Sequence, residues 1–185
     1  RPSFLLPFCS KRRQRGRVRC LVIEDDTCGQ HALPAGRRTR RRLVVKDKRW
    51  VVEERNGYGG NNQDIGDLLI KLTELKVVQT ETVGDALLPR LNLVDPGKGD
   101  GKDAKAAETM GTRLELFDAA GKSAATILLG KKVIKTEDSP LPIKPQTPVG
   151  RYVLMPGSAT VLVVSDALVV AEANPARWLA KSFFK

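Results

Sequence analysis

Histidine occurs once in this 185-residue chain, cysteine three times, methionine and tryptophan twice each, and aromatic residues make up only 5%. These shortages exclude a good deal of chemistry before any motif is sought. A nucleophile–histidine arrangement would have to use His31. A tetrahedral zinc site would have to use Cys9, Cys20, Cys28 and His31, which contain no paired Cys-x-x-Cys and lie among arginines that disfavour a cation. An odd number of thiols cannot all close into disulfides within one chain. Residues 43–185 have neither Cys nor His. Long apolar runs are missing too: stretches such as 161–164 and 167–171 fall far short of the roughly 18–20 residues of a membrane-spanning helix. Phe4, Leu5, Leu6 and Phe8 are interrupted by Pro7 and followed rather than preceded by charge, which does not make a signal peptide. The chain opens on Arg1, as a fragment or processed product would.

Other partial motifs fail on spacing. Residues 97–103, Gly-Lys-Gly-Asp-Gly-Lys-Asp, are one residue short of a phosphate loop, place Asp103 where a hydroxyl is needed, and follow no hydrophobic strand. Asp95, Asp100 and Asp103 lack the ladder of a calcium loop. Glu53 and Glu54 are neighbours at a strand end and point to opposite faces, so they do not form an acid–base pair. Ser123, Ser139, Ser158, Ser165 and Ser182 have no Gly-x-Ser-x-Gly elbow around them. Trp50, Tyr58, Tyr152 and Trp178 fall in separate elements rather than on one base-stacking strand. The expectation is a protein that is not an enzyme and has no cofactor and no metal.

What the chain has in excess is positive charge, +11 in all, and it is unevenly spread. Residues 1–42 hold 12 Lys and Arg against 3 acids, and residues 43–185 hold 20 against 18. Blocks of like charge are usually solvated tails. Residues 1–42 are therefore expected to be a basic, poorly ordered or non-native segment, with Arg12, Arg13, Arg15, Arg40, Arg41 and Arg42 as a tail for nucleic acid or an anionic surface.

Residues 43–185 read as one domain. Leu43, Val44, Val45 and Trp50, Val51, Val52 flank a polar turn, and Asn56-Gly57 breaks the chain. Asn61 or Asn62 can cap a helix over about 62–76, where Ile65, Leu68, Leu69, Leu72 and Leu75 recur at three- and four-residue steps. A short strand is expected over 76–79, a helical turn over 85–91, and an exposed loop over about 97–111. Residues 113–117 and 123–129 form the best hairpin. Four prolines at 140, 142, 145 and 148 mark an extended connection or edge. Residues 151–155 and 160–164 form a second hairpin, and Asn174-Pro175 opens a short C-terminal helix carrying Trp178, Leu179 and Phe183.

The stretch Lys48-Arg49-Trp50-Val51-Val52-Glu53-Glu54-Arg55-Asn56-Gly57-Tyr58 resembles the opening of the bacterial domain-of-unknown-function family number forty-three forty. Leu68-Leu69, Leu75-Lys76-Val77-Val78, Leu91-Asn92-Leu93-Val94-Asp95-Pro96, Gly111-Thr112-Arg113-Leu114-Glu115-Leu116, Leu129-Gly130-Lys131, Gly150-Arg151-Tyr152-Val153 and Trp178-Leu179 follow in the family's order, over about residues 43–184. The resemblance implies a membrane-anchored, extracytoplasmic (periplasmic) α+β module often encoded beside ABC transporters of the gliding-motility type, with no known activity and no catalytic residues to carry over. Two departures stand out. An Arg- and Cys-rich segment occupies the place of the family's usual transmembrane helix and the further strand before the Trp, and Gly59-Gly60 stands where a Pro is common after the Tyr.

The combined expectation is an α+β fold: a mostly antiparallel sheet of hairpins, one main packed helix at about 62–76, and a short C-terminal helix. Trp50, Leu69, Leu72, Phe117, Tyr152 and Trp178 are its expected framework. The expected function is a non-catalytic accessory or interaction module of the cell envelope with ABC transporter subunits as partners; the alternative is nucleic-acid or anionic-surface binding through the arginine segment. Deleting residues 1–42 should abolish the latter binding, measured by salt-dependent retention on DNA or anionic vesicles.

Overall fold

The computed structural model describes residues 18–25, 39–96, 109–136, 146–171 and 175–181. β-branched and alternating stretches become nine strands: β1 (Val18–Asp25), β2 (Thr39–Lys46), β3 (Arg49–Val52), β4 (Tyr58–Gly59), β5 (Val77–Thr82), β6 (Thr112–Asp118), β7 (Ser123–Thr136), β8 (Gln146–Leu154) and β9 (Thr160–Val164). They pair antiparallel in a single sheet of order β4-β3-β2-β1-β6-β7-β8-β9-β5. The helices among the described residues are α1 (Asn62–Glu74) and α2 (Pro175–Trp178), with 3₁₀ turns at Glu53–Arg55 and Asp85–Leu91. Helix of all kinds accounts for 21% of the described residues, so the α+β expectation is corrected to a predominantly β fold. Local periodicity identifies separate hairpins and a helix. It does not reveal that the hairpins join edge to edge into one sheet.

The joint is β1. Residues 1–42 were expected to stand apart from a domain starting at Leu43, yet β1 lies between β2 and β6, and β2 begins at Thr39. Leu21 is opposite Leu43 on one side and Leu116 on the other, and all three are buried. Val22, on the opposite face, is buried as well. A strand buried on both faces reads as a short continuous apolar run, and flanking arginines hide it. The remainder of that segment, including Arg12, Arg13 and Arg15, lies outside the described residues. Deleting residues 1–42 would remove a central strand, so it cannot serve as a clean test of a tail.

Helix α1 constrains the shape of the sheet. Asn61 caps it, its side chain accepting from the Asp64 N–H at 3.4 Å, and the Asn62 side chain accepts from the Trp50 N–H at 3.3 Å. The helix follows β4, one edge of the sheet, and precedes β5, the other. Thirteen helical residues span roughly 20 Å at ~1.5 Å each. Nine flat strands ~4.8 Å apart would separate those edges by roughly 38 Å. The two-residue links at either end must climb from the sheet to the helix on its face, so they add little lateral reach. The sheet therefore curls around α1. Leu21, Leu43, Val52, Leu114, Leu129, Val153 and Val164 on its inner face form one buried cluster with Ile65, Leu68, Leu72, Leu75, Leu168 and Trp178.

A smaller cluster covers the outer face of β7, β8 and β9. Leu93 packs there with Leu128, Leu154 and Val161, flanked by Val83, Leu88, Leu91 and Tyr152. Close approach is possible because Gly130 has no side chain: a Cβ there would lie 2.5 Å from the Leu91 carbonyl oxygen and 2.7 Å from Leu93. Of the expected exposed loop, residues 97–108 lie outside the described residues, whereas Met110 and Gly111 at its end are buried. On the inner side, the buried Arg151 donates from Nε to the Gly130 carbonyl at 2.7 Å and from Nη1 to the Leu168 carbonyl at 3.3 Å. It thereby ties β7 to the segment after β9.

Gly130→Ala should lower unfolding free energy by about 1–3 kcal/mol through overpacking against 91–93. Arg151→Met should cost about 1.5–3 kcal/mol through lost charge-assisted hydrogen bonds. Urea denaturation reads both, and an unchanged midpoint for either would contradict the packing described.

Candidate functional site

The expected framework residues divide by depth. Leu72 and Trp178 belong to the main core, while Trp50 and Leu69 are half-buried against it. Tyr152 packs against the outer cluster. Phe117 is half-buried on β6, opposite Cys20, and belongs to neither cluster. Cys20 is a free, buried thiol, and its proximity, with that of Glu53, raises the pKa of the Arg42 guanidinium. Cys9, Cys28, His31, the Gly-Lys run 97–103 and Phe183 lie outside the described residues. Among the described residues, no three His, Cys, Asp or Glu side chains gather as a metal site. No described helix is long and apolar enough to cross a membrane.

Arg40, Arg41 and Arg42 are consecutive on β2, so their side chains alternate between faces. Arg40 pairs with Glu24 at 3.2 Å and Arg42 with Glu53 at 3.3 Å, while the Arg42 N–H donates to Glu54 Oε1 at 2.6 Å, so Glu53 and Glu54, expected on opposite faces of a strand end, both reach Arg42 from a 3₁₀ turn. Arg41 shares the face of Leu43. Partial burial there lowers its pKa, Glu54 raises it and Arg55 lowers it further. The charges continue across the sheet, because Glu24 is opposite Arg40 on one side and Arg113 on the other. Arg113 meets Glu115 at 2.6 Å and Asp95 at 3.4 Å. Burial lowers the Arg113 pKa, but the hydrogen bond and charge of Glu115, with Asp95 and Glu24, raise it overall. Cations and carboxylates thus alternate across β2, β1 and β6. Such a row ties strands together and leaves its charges engaged with one another.

A second cationic feature is a shallow, open depression at the β2–β3 turn, lined by Lys46, Asp47, Arg49, Val51, Asn56 and Gly57. Asp47 and Lys48 carry φ values of 48° and 63°, the left-handed pair of a two-residue hairpin turn. Its Lys46, Asp47 and Arg49 side chains are exposed, so solvent already satisfies them.

The two sheet edges differ more informatively. At β4, Gly60 bridges to Leu179, the Asn61 N–H donates to the Trp178 carbonyl at 2.8 Å, and the Ala180 N–H donates to the Gly59 carbonyl at 2.9 Å. The segment after α2 thereby covers that edge. At β5, the described pairing is with β9 alone. Val78 is 69% exposed, residues 79–82 are exposed throughout, and the Gln79 side chain donates to the Glu81 carboxylate on the same strand. An edge strand offers a row of outward N–H and C=O groups to any extended chain. Proline and lysine within the strand commonly block such an edge, and Val-Val-Gln-Thr-Glu-Thr has neither. The irregularity between Val77 and Gln79 falls at one end and leaves Gln79 to Thr82 in regular register with β9. The strand expected at 76–79 runs on to Thr82, and its signal in the sequence is a β-branched run without proline or lysine.

Arg113→Met should cost about 1–3 kcal/mol by stranding partly buried carboxylates, whereas Arg40→Met should cost less than about 1 kcal/mol at a more exposed pair. Equal effects in denaturant titrations would contradict the ranking. Comparisons with protein-family models, curated proteins and solved structures return no match.

Proposed function

We propose that this chain is a non-catalytic protein-interaction module that docks an extended segment of a protein partner along the edge of β5. The observation that carries the reading is the contrast between an edge covered by residues 178–180 and an edge at β5 that is solvent-exposed, contains neither proline nor lysine and carries Glu81 as its single charge. Strand addition takes its affinity from main-chain hydrogen bonds and its selectivity from side chains alternating on the two faces. Placement at a cell envelope beside an ABC transporter rests on the family resemblance and belongs to the proposal on that footing. Arg40 and Arg42 face Glu24 and Glu53, which supports the interaction reading over anion binding by β2.

A photo-crosslinking amino acid at position 80 in the full chain tests the reading. It should give a covalent adduct in the cellular extract, whereas the same group at Lys122, in the β6–β7 turn, should give none. Equal yields at both positions, or none at 80, would refute β5 docking.

A further inference from the structure

We infer that the occupant of the β5 edge is a second copy of this chain, paired antiparallel with its own β5 about a two-fold axis at Thr80. The inference rests on the reading of β5 as a docking strand and names the partner. Isologous antiparallel pairing of a strand with itself requires a two-fold axis perpendicular to the sheet, so one residue must lie opposite its own copy. Few residues of β5 qualify, and their chemistry separates them. Centring on Glu81 would set two carboxylates against each other, which is unfavourable for directly opposed residues. Centring on Gln79 would place Glu81 beside the half-buried Val77 of the other copy.

Centring on Thr80 avoids both. Thr80 then faces the partner's Thr80, a pairing in which the hydroxyls can hydrogen-bond across strands. Gln79 faces the partner's Glu81 and Glu81 the partner's Gln79, so each carboxylate meets an amide donor. The Gln79 Nε2 to Glu81 Oε1 hydrogen bond within one strand puts this amide donor and this carboxylate on the same face of β5, where opposed copies would present them to each other. Beyond the strand ends, exposed Lys76 approaches the partner's Gly84 and, next to it, the partner's Asp85; the two-fold supplies that opposite-charge approach twice. The register also leaves Val78, the extra residue at the irregularity with β9, beside the partner's Thr82 and removes it from solvent. Two curled nine-stranded sheets would then share one continuous edge, and neither copy would keep β5 exposed.

The test exploits the self-opposition of residue 80. Thr80 is exposed, so Thr80→Lys and Thr80→Glu should fold as the wild type does, checked by circular dichroism. Sedimentation equilibrium of the full chain should give a dimer. Each single variant should raise the dimer dissociation constant about tenfold, by losing the Thr–Thr contact and opposing like charges. An equal mixture of the two variants should restore dimers, because only a residue facing its own copy converts two repulsive homodimers into one attractive heterodimer. A wild-type chain that stays monomeric, a dimer indifferent to both substitutions, or a mixture no tighter than its components would overturn self-pairing. Crosslinking at position 80 separates the two levels. An adduct with a different protein would end the self-pairing inference while the docking reading stands; no adduct would end both.

Discussion

A single short helix has to connect the two outermost strands of a nine-stranded sheet, and much of the architecture follows from that requirement. Thirteen residues of α1 cannot cross the width of a flat sheet of this size, so the sheet wraps the helix. Wrapping gives the inner face one core in which Ile65, Leu68 and Leu72 share a buried cluster with side chains from seven strands. It also explains why so little aromatic content suffices. Leucine and valine from a curved sheet converge on the helix, and Trp178 fills the remaining large volume beside it. Removing those apolar surfaces from water is the main favourable term, and it depends on the curl being maintained.

Curling leaves the two edges unequal. At β4 the chain returns after α2 and covers the edge with residues 178–180. At β5 the chain has just left α1 and goes on to the 3₁₀ turn at Asp85–Leu91, which is drawn onto the outer face by Leu93, Gly111 and Gly130. The chain is thereby led away from β5 and leaves its backbone exposed. Natural sheets usually protect such an edge with charge, proline or a covering segment. Here the same exposure that would be a hazard in an inert domain is the basis of the proposed interaction, and the sequence of β5 sets what can pair with it.

Some of this was legible in the sequence, for definite reasons. α1 announces itself by apolar residues at three- and four-residue steps after a capping Asn, and the β6–β7 and β8–β9 hairpins by alternation around tight turns. Of the four prolines expected in extended backbone, Pro140, Pro142 and Pro145 lie outside the described residues, and Pro148 is accommodated in β8 beside the register shift at Val133 and Ile134. β1 was not legible, because Leu21, Val22 and Ile23 form an unbroken apolar triplet without period, embedded in arginines that signal a tail. With β1 unseen, the sheet fell into separate hairpins and α1 looked like half of an α+β fold. β5 gave the opposite difficulty. Its residues lack alternation because neither face is deeply buried, and being an edge is a property of strand order that no local pattern encodes.

The curl around α1 can be measured directly. With the three cysteines replaced by alanine, spin labels at Tyr58→Cys and Val78→Cys mark the two edges, and electron–electron resonance on labelled chain diluted with unlabelled chain reads their separation within one molecule. A sheet wrapped on α1 places them about 20–30 Å apart. A separation near 38 Å or beyond, that of a flat nine-stranded sheet, would contradict the architecture and with it the exposed β5 edge.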